Sequence, residues 1–369
     1  MENFVTQRAR PEVFTLKPYM PGKPIEEVKR ELGLEDIIKM ASNENPLGPS
    51  PLAKEAVWKA LDNLNIYPDA NCFVLKTKLA EKFGCQADQI VIGNGSDELL
   101  MLLANTFVGK GEEVIFVQPS FAEYEFTSKV MGGKVVPIDL KEDFSYNFEA
   151  VLAAVTPKTK IVYICNPNNP TGNIATEAEL DDFIEKLPDY VLVVFDEAYY
   201  EYAENPLYTS GTKYLSSGQR VIVLRTFSKI YGLAALRVGY GITHPAIAAA
   251  IERVTEPFNV NMLAQIAAAA ALDDQAHLEK SKQVNAEGKA YLYREFAAMG
   301  LHYIPTESNF IFVDVQKDCQ QVFKALLQKG VIIRSGDIFG YPAYIRVTIG
   351  TASDNERFIT ALKQVLKDI

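Results

Sequence analysis

The chain reads as an α/β protein, and two observations carry that reading. Short apolar runs rich in β-branched residues recur along it, each followed by residues at helical spacing, and that alternation builds a mostly parallel sheet with helices on both faces. The chain also has 369 residues, 48% of them hydrophobic, ample for a large core but too many for one compact domain. We therefore expect an N-terminal arm over 1–45, a large α/β domain over 46–273 and a smaller α+β domain over 274–369 that the arm completes.

Charge narrows the partners. Forty-seven acidic residues against 37 basic ones give a net charge of −10, and no long basic run is present to neutralise a nucleic-acid backbone. Small anions must then be held by a few placed arginines. No early apolar run has the flanks of a signal peptide, and no stretch has the length to cross a bilayer, so the expectation is a cytoplasmic protein without a membrane partner. Cys72, Cys85, Cys165 and Cys319 are scattered, and His244, His277 and His302 add no zinc-type spacing. No metal is expected, and the cysteines read as reduced and structural.

In chain order, Pro11, Pro18, Pro21, Gly22 and Pro24 break any long element before a short helical stretch from Ile25 to Leu32. Ser50-Pro51 is a cap followed by proline at the first helical position, so a helix starts there, and a second runs to about Phe83. Gln89 to Ile92 opens the large sheet. Further strands are expected at Glu113 to Val117, Lys134 to Ile138, Lys160 to Ile164, Tyr190 to Phe195 and Arg220 to Leu224. Val238 to Ile242 follows as an antiparallel strand. The alanine-rich run Leu263 to Leu272 is a close-packed helix, and a long helix runs from Asp273-Asp274 to Met299, where Gly300 stops it. Beyond it, strands are expected at Asn309 to Val313, Val331 to Ile333 and Tyr344 to Ile349, with helices after Asp318 and after a capping box Ser353 to Glu356.

Chemistry gathers where the large-domain strands end, which is where open α/β sheets bind ligands. After the first comes Gly93-Asn94-Gly95-Ser96-Asp97-Glu98, whose glycines let backbone N–H groups approach an anion. A dinucleotide fingerprint would need glycine at 98, where Glu98 stands. Gln118 to Tyr124 offers an aromatic ring, and Asn166-Pro167-Asn168-Asn169-Pro170-Thr171-Gly172 is a stiff turn before the capping box Thr176 to Glu179. Asp196 follows four apolar residues, so it is buried and must either cap backbone or hold a cation. Thr226-Phe227-Ser228-Lys229 adds two hydroxyls and a lysine, with Arg237 eight residues on. A desolvated lysine is a Schiff-base nucleophile. Pyridoxal phosphate asks for this set: a lysine for its aldehyde, a carboxylate for its ring nitrogen, donors for its phenolate oxygen and an anion site for its phosphate.

With those residues in view, the chain resembles the fold-type I pyridoxal-phosphate aminotransferases and, more narrowly, the histidinol-phosphate aminotransferase family, over motifs from Tyr19 to Gly350. The resemblance implies a seven-stranded, mostly parallel sheet. It implies that Lys229 binds the cofactor aldehyde, Asp196 pairs with the pyridinium nitrogen, Tyr199 and Asn169 donate to the phenolate oxygen, and Phe121 stacks on the ring. The phosphate would take backbone N–H groups of Ser96 and Asp97, the hydroxyls of Thr226 and Ser228, and Arg237. Tyr67, in a Tyr-Pro-Asp motif, would reach the neighbouring subunit's cofactor phosphate in a homodimer with composite sites. Implied substrates are L-histidinol phosphate and 2-oxoglutarate, giving imidazole acetol phosphate and glutamate, with Arg346 and Arg334 on the substrate anion and Tyr19 and Asn45 beside them. Phe121 stands where many relatives have tyrosine, which keeps the stacking surface and loses a hydroxyl. An aromatic amino acid aminotransferase or a threonine-phosphate decarboxylase would share nearly every cofactor residue. A non-catalytic pyridoxal-phosphate sensor is disfavoured, because no DNA-binding extension or basic patch is present.

Overall fold

The computed structural model describes residues 2–16, 22–218 and 220–369. Its strands are β1 (Ile38–Lys39), β2 (Ile90–Gly93), β3 (Glu113–Gln118), β4 (Lys134–Asp139), β5 (Thr159–Cys165), β6 (Leu192–Asp196), β7 (Val221–Thr226), β8 (Gly239–Thr243), β9 (Tyr303–Ile304), β10 (Phe310–Asp314), β11 (Val331–Ile332), β12 (Arg334–Ser335) and β13 (Tyr344–Thr348). Seven of them form one sheet in the order β2-β8-β7-β6-β5-β3-β4. Neighbours pair in parallel except at β8, which runs against both β2 and β7. The α/β expectation is met.

The sheet is buried on both faces because its strands are apolar at successive positions and not only at alternate ones. Val114, Phe116, Ile161, Tyr163, Val194, Ile222 and Leu224 meet the helix Ser96–Phe107 through Leu99, Leu100 and Leu103. The intervening residues Ile115, Val117, Val162, Ile164, Val193, Val221 and Val223 meet Val151, Leu180, Phe183 and Ile184 on the opposite face. Side chains alternate along a strand, so Cys165, Asp196 and Thr226 project from the same face as Tyr163, Val194 and Leu224. Three chemistry-bearing strand ends thereby share one face.

A second sheet, β12-β13-β10-β9, packs with the helices Gln275–Ala298, Cys319–Gln328 and Ala352–Asp368 around Leu292, Phe296, Ile311, Val313, Val322, Val347 and Phe358. The N-terminal segment adds a separate two-stranded sheet: β1 pairs in parallel with β11, Ile38 opposite Val331.

Several local expectations change. The last helix is capped by Thr351, with Asp354 completing the box, and not by Ser353 and Glu356. The Thr351 hydroxyl accepts from the Asp354 N–H, which draws Ser353 into the helix. The strand expected at Val331 to Ile333 ends at Ile332 as β11, and a second strand, β12, follows from Arg334 in a different sheet. The arm is less broken than its prolines suggest: Glu2–Arg8 is helical and Pro11–Thr15 forms a 3-10 turn, with Pro11 at a first-turn position that needs no N–H donor. Ser50 caps the helix Pro51–Ala60 as expected, accepting from the Ala53 N–H at 3.2 Å.

Candidate active site

Glycine shapes the anion cradle. The turn after β2 leads into the helix Ser96–Phe107 through Gly95, at φ +81°. A Cβ on Gly95 would lie 2.7 Å from the Arg237 Nη2, and one on Gly239 would lie 2.6 Å from the Ser96 backbone nitrogen. Only bare backbone at both positions lets the guanidinium and the helix N-terminus close on one point. Arg237 is held there by the Asp97 carboxylate at 2.9 Å and the Ala234 carbonyl at 3.1 Å. Ser228 turns in through its backbone N–H, which donates to the Thr226 hydroxyl oxygen at 3.1 Å.

Lys229 and Asp196 lie beyond this cradle. Burial, then the nearby Arg346 charge, brings the Lys229 amine down to about 8, so a fair share of it is unprotonated near neutrality. Its Nζ lies 5.6 Å from the Tyr199 ring centre. Asp196 ends β6 and is 3% exposed. It accepts from the Tyr124 hydroxyl at 2.7 Å and the Ala198 N–H at 3.3 Å. Burial dominates and pushes its acid up to about 6, against the pull of the Tyr124 hydrogen bond and the Lys229 charge. Among the described residues no ion pair within 4 Å reaches this carboxylate. A buried acid on a cavity wall without a bonded cation suits a ligand that brings a positively charged N–H.

The loops after β3 and β5 are tied together, since the Asn168 amide donates to the Pro119 carbonyl at 3.0 Å and the Ser120 hydroxyl donates to Asn168 at 2.9 Å. This sets Phe121 and Asn169 on the wall. The Tyr199 hydroxyl accepts from the Asn43 amide at 3.0 Å, and burial raises its phenol well above the ordinary value. Behind these strand ends, on the other face of the sheet, Glu197 receives Arg225 at 2.8 and 3.0 Å and the Gly211 N–H at 2.6 Å. Arg225 lies between the rings of Tyr200 and Phe83. Removing either charge would leave the other buried and uncompensated at about 3–5 kcal/mol, so the pair clamps β6 to β7 beneath Asp196 and Thr226.

The second sheet supplies cations. Arg334 on β12 and Arg346 on β13 are register partners. Arg346 is 7% exposed, and its guanidinium donates to the Asn169 side-chain oxygen at 2.5 Å and the Ala41 carbonyl at 2.8 Å. A cavity of about 260 Å³ is lined by Ser96, Asp97, Phe121, Asn169, Asp196, Tyr199, Thr226, Ser228, Lys229, Arg237, Arg334 and Arg346 together. Twelve of the fifteen site residues expected from the sequence thus converge.

Three do not. Asn45 lies outside the lining: its amide donates to the Ile230 carbonyl at 2.6 Å and the Ser281 hydroxyl at 2.9 Å, and its oxygen accepts from the Leu47 N–H, so it is used up supporting the Lys229 loop from below. Tyr67 is 79% exposed and stacks on Phe258, away from the cavity. Tyr19 falls outside the described residues. Sequence reasoning missed Asn43, Tyr124 as the partner of Asp196, and Cys165 on the cavity wall. No local signal marks the first two, because their contacts span 156 and 72 residues.

A family model described as aminotransferase class I and II matches residues 35–362. The chain belongs to that family. Among relatives, this aminotransferase is 54% identical to a histidinol-phosphate aminotransferase of Moorella thermoacetica, over 97% of this chain and 93% of the relative. It is 51% identical to one of Caldicellulosiruptor saccharolyticus, over 97% and 99%. Its fold superposes with a TM-score of 0.88 on histidinol-phosphate aminotransferase from Sinorhizobium meliloti in complex with pyridoxal-5'-phosphate, at 28% identity and 98% coverage of each chain.

Proposed function

We propose that this aminotransferase moves an amino group between L-histidinol phosphate and 2-oxoglutarate with pyridoxal phosphate as its cofactor. The observation that carries the substrate reading is the pairing of Arg334 with Arg346. Like charges directly opposite on two strands destabilise a sheet, and both line the cavity that holds Lys229 and Asp196. An anion with more than one negative charge, such as a phosphate monoester, offsets that repulsion, and the guanidinium fork also fits a carboxylate.

The cavity fits the cofactor through its glycine-shaped cradle, its buried acid and its depressed lysine. When bound, pyridoxal phosphate supplies an electron sink that lets the amino-bearing carbon give up its proton. In this reading Lys229 would hold the aldehyde and its amine would move that proton; in the cofactor-free site burial and the Arg346 charge already bring that amine down to about 8, which suits a group that acts as base and acid. Asp196 would keep the proton on the ring nitrogen, Phe121 would stack on the ring, and Ser96, Asp97, Thr226, Ser228 and Arg237 would hold the phosphate. Arg346 occupies the Asn169 oxygen, which leaves the Asn169 amide N–H free to join Tyr199 as a donor to the ring oxygen.

We assign a homodimer in which Tyr67 and Tyr19 complete the partner's site. Support comes from Tyr67 itself and from Trp58, Leu64, Ile66, Phe73 and Val74, all more than half exposed on neighbouring segments. The same reading makes the protein cytoplasmic and keeps the division at 1–45, 46–273 and 274–369. The test is kcat/KM for histidinol phosphate against phenylalanine. Histidinol phosphate should be preferred, and a higher value with phenylalanine would overturn the substrate assignment and leave the aminotransferase reaction intact.

A further inference from the structure

Asn43 lies on the cavity wall yet has no part in the roles above. It is 1% exposed and holds φ +57°, a left-handed conformation that asparagine tolerates better than most residues. Every polar group it has is bonded. Its backbone N–H donates to the Thr348 hydroxyl oxygen at 2.9 Å, and its carbonyl accepts from the Asn309 amide at 2.9 Å. Its side-chain oxygen accepts from the Thr348 hydroxyl at 3.2 Å, which leaves its amide nitrogen turned to the Tyr199 hydroxyl at 3.0 Å.

A phenol has one proton to give and can accept two. An amide N–H can only donate, so a Tyr199 oxygen that accepts from Asn43 keeps its own proton for another acceptor. The charged groups facing Tyr199 are Lys229, Arg346 and Asp196. Two of these are cations that offer protons, and the Asp196 carboxylate takes its hydrogen bonds from the Tyr124 hydroxyl and the Ala198 N–H instead, so the acceptor for the Tyr199 proton comes from the cavity.

We infer that Asn43 is a positioning residue for amino transfer: it turns the Tyr199 hydroxyl into a donor aimed at the cavity, and Thr348 and Asn309 hold it in place to do so. This rests on the reading of the cavity as a pyridoxal-phosphate site. Thr348 ends β13, the strand that carries Arg346, and Tyr199 follows β6, so Asn43 also ties the substrate arginine's strand to the group that holds the cofactor's ring oxygen.

The test uses the cofactor-loaded enzyme and follows the visible absorption of the Lys229-bound chromophore against pH. A donor on the ring oxygen stabilises the negative charge left there when the chromophore loses its proton, so losing the donor moves the midpoint to higher pH. Asn43→Gly removes the amide, keeps both backbone hydrogen bonds and accepts the positive φ without strain. It should raise the midpoint by roughly 0.4 to 1 unit, the size of one hydrogen bond's net contribution. Asn43→Asp, whose ionised carboxylate can only accept, should draw the Tyr199 proton away from the cavity and raise it at least as much. Tyr199→Phe should shift it by a similar amount, and adding Asn43→Gly to that variant should shift it no further. An unshifted midpoint in Asn43→Gly overturns the inference. An equal added shift in the Tyr199→Phe background also overturns it, since Asn43 would then act by another route. If no visible band forms when wild-type protein meets pyridoxal phosphate, the cofactor reading falls and the inference falls with it. A band whose midpoint ignores Asn43 leaves the cofactor reading standing.

Discussion

Replacing Arg334 by alanine should separate the two half-reactions of this enzyme. Arg334 is partly buried, at the cavity edge beside the backbone of Gly22, whose added Cβ would lie 3.6 Å from its Nη1. Its register partner Arg346 is buried and anchored by Asn169 and Ala41. The anchored arginine suits the α-carboxylate of glutamate, and the outer one suits the extra charge of a phosphate. A charge-assisted hydrogen bond contributes about 1.5–3 kcal/mol, so Arg334→Ala should slow the histidinol-phosphate half-reaction roughly ten- to 150-fold at subsaturating substrate. The glutamate half-reaction should change by less than about threefold, since a carboxylate held by Arg346 gains little from a second, more solvated cation. Arg346→Ala should impair both, because losing one partner of a buried charged pair costs about 2–5 kcal/mol, roughly thirtyfold to several-thousandfold. Single-turnover absorbance with each amino donor measures both rates. Equal losses with the two donors in Arg334→Ala, or a larger loss with glutamate, would refute the division of labour between the arginines.

Borohydride reduction of the loaded enzyme followed by peptide mapping should place the label on Lys229, and a label on any other lysine would end that assignment. Asp196→Ala should cost far more rate than Tyr199→Phe, and equal losses would contradict the electron-sink role. In the cofactor-free protein, burial raises Asp196 from 3.8 to about 6, so between those values the folded state binds more protons than the unfolded one and stability falls as pH rises. Asp196→Asn removes that slope and should gain roughly 3 kcal/mol on the parent between pH 4 and 7, while parallel denaturation curves would deny the buried charge. Mixing inactive Lys229→Ala with a Tyr67-disabled protein should restore partial activity in hybrid dimers, and no recovery after verified subunit exchange would count against shared sites.

Much of this was legible in the residues because local physics decided it. Short contiguous β-branched runs such as Val221 to Leu224 favour strands buried on both faces, and strands of that kind separated by helices favour a mostly parallel sheet. Once the strands are placed, period-two alternation sets the face of Asp196, Cys165 and Thr226, and glycines at 93 and 95 mark a backbone that must come close to something. Helix starts were legible where a side chain bonds its own next turn, as at Ser50 and Thr176. The same signal misled at Ser353, where Thr351 and Ser353 both precede an acid by three residues and only the chain's exit from β13 chose the first.

What the residues alone could not decide was every contact that closes over a long loop. Asn43 and Asn45 are two residues apart in one turn-rich stretch, yet one reaches Tyr199 in the cavity and the other is spent beneath the Lys229 loop on Ile230 and Ser281. The opposition of Arg334 to Arg346 depends on a register between two strands, and the pairing of Asp196 with Tyr124 depends on a helix packing across 72 residues. Propensity and periodicity act within a turn or two of chain, so they name the elements and the residues at their ends. Which side chains then share a proton or face one another as like charges is set by packing, where a shift of an ångström makes or breaks a hydrogen bond, and that information exists only once the chain has folded.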